Sequence, residues 1–250
     1  MVCGLARYFV GLMSQSIQER VKQIPWENVA TQLSETGYAL TGSLLTPEEC
    51  VAMTRLFSHE DEFRSHIVME RYRFGKGDYK YFRYPLPEIV AALRTTTYPH
   101  LAGIANQWIS QLGSKEKPFS LDHKEFLKRC HTAGQKQPTP LVLHYESGGY
   151  NCLHQDLYGD IAFPLQLVVM LGQQSRDWEG GEFVLVENVP RAQSRAEVIT
   201  ADQGHGVIFT ARYRPMKGSH GNYRVSLRHG VSRVRRGTRY TLGIIYHDAK

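Results

Sequence analysis

Residues 145–160 read YESGGYNCLHQDLYGD, and the way this stretch is taken decides the fold. It follows a run that alternates like a strand. On a strand, residues i and i+2 point to the same face. His154 and Asp156 then follow Tyr150 and Cys152 on one face and present an imidazole and a carboxylate to one point. A second His-x-Asp triplet occurs at His59-Glu60-Asp61. With eleven histidines and eight aspartates in 250 residues, about a third of one such triplet arises by chance. The segment around it, SHEDEFRSH, reads as helix or loop, where i and i+2 diverge. His59 and Asp61 are therefore read as solvated surface.

Working outward, the chain downstream of Leu141 is a series of short β-type runs: LVLHYE, YNCLHQD, FPLQLVVML, GGEFVLVE, AEVITA, GVIFTA, YRVSLRHGV and RYTLGIIYH. Glycine-bearing turns separate them, and no helical period intervenes. That pattern predicts a double-sheet jelly roll. Upstream, apolar residues at helical spacing (Ile17, Val21, Ile24, then Val29, Leu33) are split by Pro25, which predicts two short helices. A strand is expected near 38–45. Thr46, Pro47 and Glu49 form an N-cap signature for a helix to about Leu56. SHEDEFRSH continues that helix or loops away. An aromatic-rich hairpin turns at GKGD, near 68–84. Residues 87–112 look like helices broken at Tyr98-Pro99, and a further helix runs from about Leu121 to Gly134. The expected class is α+β in a single domain, 1–250. A mainly helical part, 1–137, serves as a support layer for a β core at 138–250.

An apolar fraction of 42% and a charged fraction of 22% are those of a globular protein. No apolar run approaches the roughly 18 residues that span a bilayer, so no membrane association is expected. The opening MVCGLARYFVGLM is broken by Arg7 and is not read as a signal peptide; Met13 is an alternative start. Four scattered cysteines with no C-x-x-C pair argue against a zinc knuckle, a redox motif or a disulfide framework, and a cytoplasmic location is expected. The net charge of +6 permits an anionic partner without requiring one. One stretch, RYRFGKGDYKYFRY at 71–84, interleaves five basic with six aromatic residues. Arg71, Arg73, Lys76, Lys80 and Arg83 could track DNA or RNA phosphates while the aromatics stack on bases. The plainer reading is a hairpin whose aromatics pack on the sheet. Arg224, Arg228, Arg233, Arg235 and Arg236 form a second basic patch or a solvated strand face.

A metal gripped by His154 and Asp156 needs a third donor, and His205, His220, His229 and His247 are the choices. His205 and His220 sit in turns and His247 is near the end of the sequence. His229 ends a face made by Tyr223, Val225 and Leu227, alternating with Arg224, Ser226 and Arg228. An inward polar residue at the end of an apolar face needs a partner, and a metal supplies one. Two histidines and one carboxylate on one side of an ion are the donor set of non-haem Fe(II) oxygenases. Ten residues on, Arg239 shares a face with Thr241, Gly243 and Ile245; a buried arginine there demands an anion.

His154-x-Asp156, the distal His229 and Arg239 with Thr241 resemble the Fe(II)/2-oxoglutarate-dependent dioxygenases. LHYESGGYNCLHQD is similar to the corresponding stretch of AlkB-type alkylated-DNA repair enzymes. Over nearly the whole chain, YKYFRYPLP, YNCLHQDLYGD, GGEFVLVE, QSRAEV and RHGVSRVRRGTRYTLGIIYHDA resemble the bacterial Oxygenase-NA family, labelled as acting on damaged nucleic acid. The single Arg239 followed by Thr241 departs from the AlkB pattern and looks more like the prolyl-hydroxylase branch. The resemblance implies a double-stranded β-helix core and Fe(II) held by His154, Asp156 and His229. It also implies 2-oxoglutarate held by Arg239 and Thr241 with Tyr145 helping, and O2 as the oxidant. Tyr158, Asp160 and Gln166 are further pocket candidates. The implied activity is hydroxylation of a C–H bond, including oxidative demethylation of alkylated bases. Prolyl-type hydroxylation of a protein is the alternative, and a jelly-roll binding module without turnover is a third.

Overall fold

The computed structural model describes residues 15–156 and 159–250. Both candidate starts, Cys3 and Tyr158 lie outside the described residues. The strands form mostly antiparallel sheets. Seven strands make the larger sheet in the order β1 (Tyr38–Ser43), β11 (His205–Thr210), β7 (Leu165–Met170), β15 (Arg239–Ile244), β5 (Leu141–Tyr145), β4 (Asp78–Phe82) and β2 (Phe63–Val68). The second sheet runs β10 (Arg195–Ile199), β9 (Phe183–Asn188), β13 (Gly221–Val231), β6 (Tyr150–His154) and β3 (Gly75–Lys76), with β12 (Tyr213–Gly218) also on β13. A short pair, β8 (Trp178–Gly180) with β14 (Val234–Gly237), completes the strands.

The central strand β7, LQLVVM, is buried along its whole length, because both of its faces are covered. Leu165, Leu167 and Val169 join a core that includes residues of the helices, whereas Val168 and Met170 join the core between the sheets. The next strand, β15, divides the same way. Leu242 and Ile244 pack in the helix-side core, and Arg239, Thr241, Gly243 and Ile245 turn to a cavity. Each apolar side chain fully buried in these layers contributes about 1.5–3 kcal/mol.

The helices are α1 (Ile17–Lys22), α2 (Trp26–Thr36), α3 (Pro47–Leu56), α4 (Glu88–Gln111) and α5 (His123–Thr132). Helix α3 begins with the capping box expected of Thr46 and Glu49. Helix α4 supplies Val90, Leu93, Tyr98, Leu101, Ile104 and Trp108 to the helix-side core. It also anchors the last residues of the chain. Arg94 donates to the Ile245 and His247 carbonyls and to Asp248 Oδ1, the last at 2.8 Å. None of the described helices is long and apolar enough to cross a membrane.

Four expectations need correction. Helix α4 runs unbroken through Pro99. A proline inside a helix forfeits one hydrogen bond and costs about 3 kcal/mol, but Tyr98 and Leu101 on either side are both fully buried and hold the helix together. SHEDEFRSH neither extends α3 nor loops away; after a 3-10 turn at Glu60–Glu62 it becomes strand β2. The hairpin near 68–84 has its arms at β2 and β4, and the two residues of β3 leave it to pair with β6 in the other sheet. The downstream half carries three strands beyond the eight read from sequence: β8, β12 and β14. β8 and β14 have three and four residues, too few to set up a readable period, and β12 carries Pro215 in its middle, which argues against a strand.

Candidate metal centre

His154 is the last residue of β6, and it lies directly opposite His229 on β13. Directly opposed residues of an antiparallel pair share a face, so the two imidazoles meet with ring centroids 4.3 Å apart. The pairing is irregular between His229 and Val231. Gly230 occupies that step, where a Cβ would come within 2.7 Å of the Asn151 carbonyl oxygen. Only glycine lets β6 come this close. Burial on β13 alternates as the sequence predicts, with Val225, Leu227 and His229 inside and Arg224, Ser226 and Arg228 outside. Asp156 lies two residues past the end of β6, not on it, and the β6 face is less enclosed than expected, with Cys152 exposed. The chain turning off the strand carries the carboxylate over the two rings.

The geometry of the three side chains fits an ion. His154 Nε2 lies 3.4 Å from Asp156 Oδ1, and His229 Nε2 lies 3.3 Å from Asp156 Oδ2. These separations exceed a good hydrogen bond and suit donors on adjacent corners of a metal at about 2.1 Å. All three donor atoms fall within 4.8 Å of one another; among the described residues no other His, Cys, Asp and Glu group does so. Both histidines therefore aim the same nitrogen, Nε2, at one point.

The surroundings orient the donors. His154 Nδ1 donates to the Cys152 carbonyl at 2.8 Å, which leaves the Nε2 lone pair for the centre. Gln166 Nε2 donates to Asp156 Oδ2 at 2.8 Å. The Gln155 amide nitrogen lies within 2.8 Å of the Arg212 and Leu227 carbonyls and 3.0 Å of Ser226 Oγ. It straps the turn to β13 two residues before His229. The His229 ring is held by Phe209 at 4.7 Å and Phe183 at 5.9 Å, while its Nδ1 has no partner among the described residues. Burial opposes ionisation of Asp156, yet His229 and His154 outweigh it and hold the carboxyl well below the usual range. Burial pushes His229 down toward the neutral form, and at His154 the Asp156 contact overrides burial and pushes the imidazole up. An ionised carboxylate and imidazole nitrogens are what a divalent cation requires.

A cavity of about 410 Å³ opens from these donors. Arg239 and Thr241 also line it; on β15 Arg239 lies opposite Tyr145, and Thr241 lies opposite both Leu143 and Met170. Arg239 is buried to 2% exposure, and burial pushes its guanidinium down to about 10, so it remains charged at neutral pH. It has no carboxylate within ion-pair distance among the described residues. Its Nη2 reaches only the Met170 sulfur at 3.7 Å, and its Nε is unpartnered. Trp178 Nε1 is also buried without a partner among the described residues, the Tyr145 hydroxyl is buried beside the Asn151 side chain, and both rings lie under the guanidinium, 5.7 and 5.8 Å away. A buried cation among orphaned donors fits a bound carboxylate.

Other sequence candidates lie elsewhere. Asp160 pairs with Lys250 at 2.9 Å on the surface, so it does not face the cavity. His247 accepts from the Phe163 amide in the core; His220 is exposed and His205 half-buried. His59 and Asp61 are exposed. Gln166 is in the pocket, as a carboxylate partner. The basic stretch 71–84 splits. Arg73 and Phe74 line the cavity, but Lys80 is buried against Glu60 and the Phe57 carbonyl and cannot meet a phosphate. Arg83 donates to the Phe63 carbonyl. In the second patch Arg224 and Arg236 are paired with Glu116 and Glu179. Gln155, also a cavity residue, escaped the reading because it carries no local sequence signal, and Tyr79, read with the aromatics of 71–84, lines the cavity.

Comparison with known proteins gives a consistent result. The model of the Oxygenase-NA family, described as "Oxygenase, catalysing oxidative methylation of damaged DNA", matches residues 77–249. Two Mycobacterium tuberculosis proteins, MT2286 of strain CDC 1551 and Rv2227 of strain H37Rv, are 45% identical over 168 residues, 67% of this chain and 72% of theirs; both are called uncharacterized. Among solved structures, a 2OG-Fe(II) oxygenase family oxidoreductase from Burkholderia pseudomallei superposes with a TM-score of 0.52 at 15% identity, covering 90% of this chain and 92% of that one. A Trichoplax adhaerens prolyl hydroxylase in complex with a hypoxia inducible factor peptide gives a TM-score of 0.51 at 14% identity, covering 94% of each. At such identities the structural likeness shows a shared fold.

Proposed function

The chain belongs to the Oxygenase-NA family of Fe(II)/2-oxoglutarate-dependent oxygenases, with Fe(II), 2-oxoglutarate and O2 as cofactor and co-substrates, and on that premise we propose its site and its substrate. His154, Asp156 and His229 hold the iron. Arg239 and Thr241, with Tyr145 beside them, hold the far carboxylate of 2-oxoglutarate. The substrate carbon belongs to an alkyl group on a nucleic-acid base. The observation that carries the site is one buried, unpaired guanidinium across a single cavity from three converging donors. The family description supports a base as the substrate.

When bound, Fe(II) with 2-oxoglutarate and O2 supplies the oxidation: one oxygen atom enters the substrate C–H bond, the other enters succinate, and CO2 leaves. The chain's own residues prepare this. Cys152 and Gln166 fix the donors, Arg239 neutralises the incoming diacid, and Leu141, Leu143 and Phe209 line the cavity with apolar surface that excludes water. An N-methyl group hydroxylated here becomes N–CH2OH. The C–N pair then returns to nitrogen, the hydroxyl loses its proton, and formaldehyde departs. The helices act as support for the larger sheet.

A second reading is prolyl-type hydroxylation of a protein. It is favoured by Arg239 lying ten residues after His229 with Thr241 beyond, and by the prolyl hydroxylase of the same fold. The test offers methylated oligonucleotides and proline-bearing peptides to the Fe(II)-loaded enzyme and scores succinate, formaldehyde and product mass. Formaldehyde with oligonucleotides alone supports the first reading; a 16-dalton gain (about one oxygen atom) on peptides alone replaces it with the second.

A further inference from the structure

The mouth of the cavity carries a feature that the metal and co-substrate do not use. After strand β2 the chain makes a 3-10 turn at Met69–Tyr72, and Arg73 then takes the left-handed conformation, φ 61°. A non-glycine residue there costs about 1–2 kcal/mol. The reversal brings Tyr72 and Phe74, two residues apart, into a stack with centroids 5.5 Å apart and planes at 20°. Both rings face solvent, 55% and 45% exposed. In water such a pair gains little from being held so.

The arm is fixed relative to the metal centre. The Phe74 carbonyl accepts from the Cys152 amide at 2.8 Å, and the Cys152 carbonyl in turn holds His154. Gly75 pairs with Asn151, and a Cβ on it would fall 2.2 Å from the Tyr150 carbonyl oxygen, so only glycine allows the arm to lie this close. Arg73 and Phe74 line the same cavity as the three donors.

The exposed side chains around the rings are mainly basic. Arg71, Arg73 and Lys76 are exposed and make no ion pair among the described residues. Arg233 adds a fourth cation over the Tyr150 ring at 5.4 Å. Lys76 shares a groove with Glu70, which accepts from the Gly77 amide, with Asp78, held between His66 and His144, and with Glu146, whereas Arg71, Arg73 and Arg233 do not line that groove. Elsewhere on the surface, arginines such as Arg176, Arg224 and Arg236 have acidic partners. An acidic peptide would satisfy the cations but leave the rings idle. A single-stranded polynucleotide brings a phosphate and a flat base in every unit.

Resting on the nucleic-acid reading above, we propose that Tyr72, Arg73 and Phe74 form a docking platform for single-stranded DNA or RNA. The rings stack on a base neighbouring the target, Arg73 and Lys76 take the adjoining phosphates, and the unpaired target enters the cavity.

The test measures fluorescence polarisation of a labelled 12-mer single strand, its duplex and a poly-glutamate peptide on the Fe(II)-loaded protein. The single strand is expected to bind tightest. Tyr72→Ala with Phe74→Ala weakens it roughly ten- to a hundredfold with an unchanged salt slope, and Tyr72→Trp with Phe74→Trp retains binding. Arg73→Ala with Lys76→Ala instead lowers the salt slope by about 1.4, the single-strand value for two phosphates. Thermal melting of each variant reports folding, and the rings are exposed enough that both pairs are expected to fold. Tight single-strand binding that survives loss of both rings overturns the platform while leaving the nucleic-acid reading in place. Binding of poly-glutamate as tight as that of the strand, with no oligonucleotide oxidised, overturns both.

Discussion

Arg94 and Arg239 are buried alike, at 1% and 2% exposure, and they live in opposite circumstances. Arg94 donates to the Tyr84 hydroxyl, two carbonyls and Asp248, and Asp248 also receives His131 at 2.8 Å. Every valence of that cluster is spent on tying α4 to the end of the chain. Arg239 reaches a methionine sulfur and two aromatic rings. The desolvation cost of the two guanidiniums is similar, and only one is offset within the chain. Burial therefore does not mark a functional residue. Burial without a partner, beside a set of converging donors, marks a candidate.

The comparison can be broken at either end. Loss of a donor should have the largest effect: Asp156→Ala lowers succinate release about a thousandfold or more while the protein stays folded, as parallel turnover and melting measurements would show. Next, Arg94→Ala leaves Asp248 buried without its main partner and lowers the unfolding free energy by about 3–5 kcal/mol in urea titration. A third test uses acid. His123 Nε2 donates to the Tyr246 carbonyl beside the Arg94 cluster at 2.8 Å, and burial, with Arg94 adding, pushes the ring down to about 4 from 6.5. Between those values the unfolded ring binds a proton that the folded ring does not. Stability therefore falls as pH drops from 6.5 to 4, by about 3 kcal/mol at the lower limit. His123→Gln should remove about half of the fall in that window, because burial pushes His247 down to about 4 as well.

Arg239→Ala is the counterpart of Arg94→Ala. It should move the unfolding free energy by less than about 1 kcal/mol, since no internal partner is lost, and raise the 2-oxoglutarate requirement about ten- to a hundredfold. Equal destabilisation by the two substitutions would erase the distinction between strut and site. The smallest effect is expected at Gln166→Ala. Asp156 loses one oriented donor and the metal binds about tenfold more weakly, measurable by competition with a chelator.

The candidate site was more legible in the sequence than the frame around it. The alternation on β13 and the shared face of Arg239, Thr241, Gly243 and Ile245 are period-two signals, and a strand with one buried face must obey them. The convergence of His154 and Asp156 follows from the same rule although β6 ends between them, because the turn carries the carboxylate back over the rings. The Arg94 cluster was not legible. Its partners lie about 150 positions away in sequence, and nothing local announces them. The strap made by Gln155 and the departure of β3 into the second sheet are likewise tertiary facts. Lys80 shows the opposite failure: composition placed it with the phosphate contacts, whereas alternation on β4 turns it inward to Glu60.

The proposed centre is three side chains, from β6, the turn after it and β13, binding one iron. Anaerobic calorimetric titration of Fe(II) into the wild-type protein and into His229→Ala tests this directly. One ion per chain in the wild type and no measurable binding in the variant is the predicted result. Equal affinity and stoichiometry in both would contradict it.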